Sequence, residues 1–137
     1  MDGVEYPEMR AAVLAAVRAL ADPDYQERVW LRREYPHSRF YDDFDASVHT
    51  LYDDCVVLPD PSLRIGSILV SSEEVDALFH LGRVLTPLID ELRDAPDATY
   101  VGDPRWRAVV MAARAAAVRG ACADRAGGFP GGWWPVM

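Results

Sequence analysis

Between Val75 and Leu92 an apolar or small residue returns every three or four positions: Val75, Leu78, Gly82, Leu85, Ile89 and Leu92. This is the helical period, held for nearly three heptads, and it predicts a long helix with one side given to a core. Such a stripe must be buried against something, and the rest of the chain offers more of the same kind of surface. Ser71 stands just before it with Glu74 three positions on, the spacing of a capping box. Pro87 falls inside the stripe and predicts a kink or break near Arg83–Thr86.

The other helices announce themselves by similar signals. Pro7 opens a helix to Ala21 whose stripe is Met9, Val13, Val17 and Leu20. Asp22-Pro23 caps and starts a second, to about Arg33, with Tyr25, Val29 and Trp30 inward. After the break at Tyr35-Pro36, residues 40–54 read as an amphipathic helix with Phe44, Val48, Leu51 and Tyr52 on one side. Asp103-Pro104 starts the last helix, whose inner face is Trp106, Val109, Val110, Ala113 and Ala117, with Gly120 as its stop. Cys55–Leu58 reads as a short extended piece, and Leu63–Val70 is the best strand candidate. It could pair with Cys55–Leu58 or Thr99–Val101, or stay a buried extended segment.

The 137 residues suffice for one core, and half of them are apolar. The expectation is a mainly α fold of four to five helices in one domain, residues 1–122, with at most a minor β pair. A flexible Gly/Pro/Trp tail, residues 123–137, follows. Its Trp133-Trp134 pair could fold back over the core or meet another chain.

Charge narrows the partners. All fourteen basic residues are arginine, and the net charge is −8. Residues 1–99 hold twenty acids against nine arginines, while residues 100–137 hold two acids against five arginines. So negative a surface repels phosphate backbones, which argues against nucleic acid and for a basic protein partner. No apolar run approaches the roughly 20 residues of a membrane span, and Met1–Glu5 carries no signal-peptide pattern. Cys55 and Cys122 form no CxxC pair, in keeping with reduced thiols and a cytoplasmic location.

No GxSxG, HExxH, Walker A or GxGxxG pattern is present, and the residues suggest neither a catalytic group nor a cofactor. From Phe40 to Asp60 there are six aspartates and no arginine. Phe40, Tyr41, Asp42, Asp43, Asp45, His49, Asp53 and Asp54 therefore form the candidate partner-binding face. The plainer reading is a solvated face with acids at a helix N-terminus, where the dipole favours them. Asp45, His49 and Asp53 also share one stripe, a weak candidate metal site with His37 or Glu34 completing it. Residues 45 and 53 would lie about 12 Å apart along the axis, too far for one unaided ion.

Tyr6-Pro7-Glu8-Met9-Arg10, Tyr25-Gln26-Glu27-Arg28-Val29-Trp30 and Phe40-Tyr41-Asp42-Asp43-Phe44-Asp45 with Val48-His49 and Leu51-Tyr52-Asp53-Asp54 form a pattern. It resembles a family of small uncharacterised actinobacterial proteins, over residues 5 to about 115. That resemblance implies kinship and carries over no catalytic residue. A looser architectural likeness, to bacterial immunity proteins that are small, acidic and free of motifs, is analogy. Together these readings lead to a non-enzymatic, immunity- or inhibitor-like protein that docks a basic partner through the 40–54 helix. The alternative is a metal-binding protein or enzyme of specialised metabolism using His49 and its carboxylates.

Overall fold

The computed structural model describes residues 4–126, with side chains through residue 123. The tail expected at 123–137, with Trp133-Trp134, lies almost wholly outside the described residues. Within them the chain is mainly α, with six α-helices in one domain. In order these are α1 (Pro7–Leu20), α2 (Pro23–Tyr25), α3 (Phe44–Val48), α4 (Ser72–Leu92), α5 (Asp97–Val101) and α6 (Trp106–Ala126). α2 and α3 each run straight into a π-helical turn, Gln26–Leu31 and His49–Asp54. A 3-10 helix, Pro61–Arg64, lies between the third helix and α4.

The starts follow the capping chemistry that the residues dictate. Asp22 accepts from the Tyr25 N–H at 3.1 Å, Asp43 from Ala46 at 2.8 Å and Ser71 from Glu74 at 3.2 Å. Each satisfies an N–H that the first turn leaves unbonded. Asp43 as cap means that the third helix begins at Phe44, so Phe40–Asp43 are loop and not the helical turn expected from their sequence.

α4 and α6 form the main seam, α1 packs on α6, and α3 packs on α1. The buried line of α4 is Leu78, Leu81, Leu85 and Leu88, with Glu74 and Gly82 on the same side. Val75, Ile89 and Leu92 flank that line instead of forming its centre. α4 runs on through Pro87, so of the expected kink or break the break does not occur.

Three other expectations are corrected. Leu63–Val70 is no strand: it is the end of the 3-10 turn and a tight loop with one isolated bridge, Ile65 to Leu69. Gly66 at φ 91° reverses the chain there, and the segment's amides bond back within it, Gly66 N–H to Leu69 O at 2.8 Å and Leu69 N–H to Arg64 O at 2.9 Å. Thr99–Val101 is helical, in α5, and Cys55–Leu58 forms no strand either, so among the described residues the β pair does not occur. Gly120 does not end α6, which continues to Ala126. Its glycine serves a close approach, because a Cβ there would lie 2.6 Å from Leu14 Cδ2 on α1.

Trp30, Phe44, Tyr100 and Trp106 form the aromatic centre, with Phe44 5.5 Å from Trp106 and 4.3 Å from Tyr100. Gln26 is completely buried beside it. Its Nε2 donates to Ala19 O and Leu20 O at 2.9 Å, and its Oε1 accepts the Trp106 indole N–H at 3.0 Å. One amide thus joins the end of α1 to α6. Among the described residues no helix is long and apolar enough to cross a membrane.

Candidate functional site

Segment 40–54 presents two different faces. Outward stand Asp45, His49 and Asp53, with side chains 73%, 59% and 60% exposed. His49 is held between the acids, Nε2 at 3.4 Å from Asp45 and Nδ1 at 2.8 Å from Asp53. Asp54 is exposed beside them. Among the described residues no salt bridge joins any of these acids to an arginine.

The opposite ring nitrogens of His49 meet different carboxylates, so the three groups do not converge on one point. His37 is turned to its own loop, where Nδ1 accepts the Arg39 N–H at 3.2 Å and the ring packs on Phe40. Among the described residues no three His, Cys, Asp or Glu side chains are arranged to hold a metal ion.

Asp42 and Asp43 belong to the scaffold. Asp42 is half-buried and accepts from the Tyr25 hydroxyl at 2.6 Å and the Trp30 indole at 3.2 Å. Burial first, and then this bond to Asp42, push the Tyr25 hydroxyl well above its ordinary pKa. Asp43 caps α3 and also accepts the Tyr41 hydroxyl, whose pKa that bond raises to about 12. Phe40 is half-buried between Tyr35 and His37, and Tyr41 is exposed.

One acid joins this face from a distance. Asp97, at the start of α5, accepts the Phe44 N–H at 3.0 Å. Burial pushes its pKa up, and the nearby Asp43 and Asp45 push it further against the pull of that N–H and of Arg33. Asp97 was outside the sequence reading because 53 residues separate it from Phe44.

On its other side the segment walls a groove of about 830 Å³. Ala12, Ala15 and Ala19 of α1 form the floor, Ser47 and Thr50 one wall, and Arg114 and Val118 of α6 another. Arg18 and Asp22 stand on its rim with Tyr41 and Asp42. The alanines leave room that larger side chains would fill.

A family model described as "Domain of unknown function (DUF7945)" matches residues 4–127. No curated protein matches the chain, and no solved structure does.

Proposed function

The chain belongs to the DUF7945 family, and we propose that it is a non-enzymatic binding protein of immunity or inhibitor type. Its partner is a basic protein, docked on the outer face of segment 40–54. The observation that supports this reading is the row Asp45, Asp53 and Asp54, held outward with no neutralising arginine among the described residues. A negative ridge of this kind orients a cationic partner during approach and raises the association rate. Asp97 extends the negative potential to the start of α5, and Tyr41 supplies an exposed ring at its edge. In the scaffold beneath, Asp42, Asp43 and Phe44 are each tied by a hydrogen bond to another element or to the cap.

Affinity capture from the native host at low and high salt tests the proposal, with an Asp45→Asn/Asp53→Asn/Asp54→Asn variant in parallel. A basic protein should be retained by the parent chain, lost as salt rises, and lost in the variant. Capture of no protein, or capture indifferent to both salt and the three substitutions, overturns it.

A further inference from the structure

We propose that the groove between α1, α3 and α6 binds a small amphipathic carboxylate, its apolar body lying on the alanines and its head group held by Arg114. The groove's lining includes none of Asp45, His49, Asp53 and Asp54 of the acidic ridge, and the two surfaces share only Tyr41 at their edge. At about 830 Å³ the groove has the size of small-molecule sites, and its wall is mostly apolar with a few polar groups, as such sites are.

Four charged side chains line it, and their bonding decides which charge it favours. Asp22 is committed to the Tyr25 N–H, and Asp42 to the Tyr25 hydroxyl and the Trp30 indole. Arg114 is anchored through Nε to Ala21 O at 3.0 Å. Among the described residues it makes no other bond, so both Nη groups keep their protons for an incoming acceptor. That is the fork which binds a carboxylate with two parallel hydrogen bonds. Arg18 lines the same groove. Both acids keep their charge, since their donors are neutral groups, so the open Arg114 fork, and not the net charge of the lining, selects a carboxylate.

Ser47 provides a further polar contact. It is 3% exposed and lines the groove, and its Oγ bonds nothing among the described residues. Every side-chain oxygen or nitrogen fully shut off from the surface has a partner there. The Ser47 Oγ therefore keeps a little exposed surface and, in a residue that lines the groove, is available to a ligand there.

Calorimetric titration of the full chain with decanoate, decyl glucoside and decyltrimethylammonium, each below its micelle concentration, tests the site. Decanoate should bind, with the neutral and cationic chains at least about tenfold weaker, as loss of a charge-assisted pair requires. Arg114→Gln should weaken decanoate by about tenfold and leave the neutral chain unchanged. Ala15 is exposed on α1, so Ala15→Trp fills the groove without entering the core and should abolish binding. Absence of decanoate binding, equal binding of all three chains, or indifference to both substitutions overturns the proposal. Circular dichroism of each variant identifies a misfolded one, and Arg114→Gln, at an exposed position, carries the test if Ala15→Trp fails to fold.

Discussion

Arg10 and Glu74, 64 positions apart, meet in the core as a two-pronged ion pair, Nη1 to Oε1 at 2.9 Å and Nη2 to Oε2 at 2.5 Å. Their side chains are 6% and 3% exposed. The guanidinium also donates to Ile68 O at 3.1 Å and Gly120 O at 3.4 Å, and the carboxylate accepts the Val70 N–H at 2.8 Å. One pair thus ties α1, the loop before α4, α4 itself and α6. Breaking it from one side leaves a buried charge uncompensated. Glu74→Ala should therefore lower unfolding stability by about 3–5 kcal/mol, read by urea titration. Arg10→Met with Glu74→Leu should recover part of that loss, because no charge is then left in the core.

Gln26 is the neutral counterpart. Gln26→Leu keeps the volume but strands the Trp106 indole N–H and the Leu20 carbonyl, while Ala19 O keeps the Asp22 N–H. A cost of about 2–3 kcal/mol is expected, the penalty of leaving buried polar groups unpaired. The same urea titration, followed by tryptophan emission, measures it; a neutral outcome would mean that water replaces the amide.

Gly120 sets how closely α1 and α6 pack. A valine there must push Leu14 aside, and overpacking of this kind costs about 1–3 kcal/mol. Combined with Leu14→Ala, Gly120→Val should cost less than the sum of the two single changes. Strict additivity in that double-mutant cycle would contradict the contact.

Two aspartates should move stability in opposite senses with pH. Burial, with Asp43 and Asp45 nearby, raises the pKa of folded Asp97 above the ordinary 3.8. The folded chain then holds this proton more tightly, so its contribution is full below 3.8 and is lost as pH rises through the raised value. Asp103 is lowered to about 2 by the bonds of Arg105. Its contribution is full above 3.8 and is lost as pH falls toward 2. Relative to the parent, Asp97→Asn should gain stability as pH rises from about 4, and Asp103→Asn should gain as pH falls below it. Urea midpoints across that range decide both.

The helices were legible where the local signal was self-sufficient. Asp22-Pro23 and Ser71 cap helices as their residue types require, although Glu74 takes the Val70 N–H and Arg10 in place of the Ser71 N–H of a capping box, and the Trp106–Ala117 periodicity is the inner face of α6. The misreadings arise where a residue's partner is distant. Gly120 reads as a stop until Leu14 is placed beside it, and Leu63–Val70 reads as a strand until Gly66 turns it back on itself. The charged core had a signal that periodicity carries. Arg10 lies three, four and seven positions before Val13, Leu14 and Val17, and Glu74 stands four and seven before Leu78 and Leu81. Opposite charges on two inward stripes point to a buried pair. The groove had no comparable signal, since exposed alanines on a helix look the same whether or not a neighbour walls them in.

Residue order alone determined the helical period, the caps and the acid-only character of residues 40–60, because each depends on side chains a few positions apart. Only the tertiary structure decided which of those acids point outward. Asp42 was drawn in by Tyr25 and Trp30, Asp43 became a cap, and Asp97 arrived from another helix, leaving Asp45, Asp53 and Asp54 at the surface. The reason is that a carboxylate's role follows from the donors that packing brings to it, and those donors come from elsewhere in the chain.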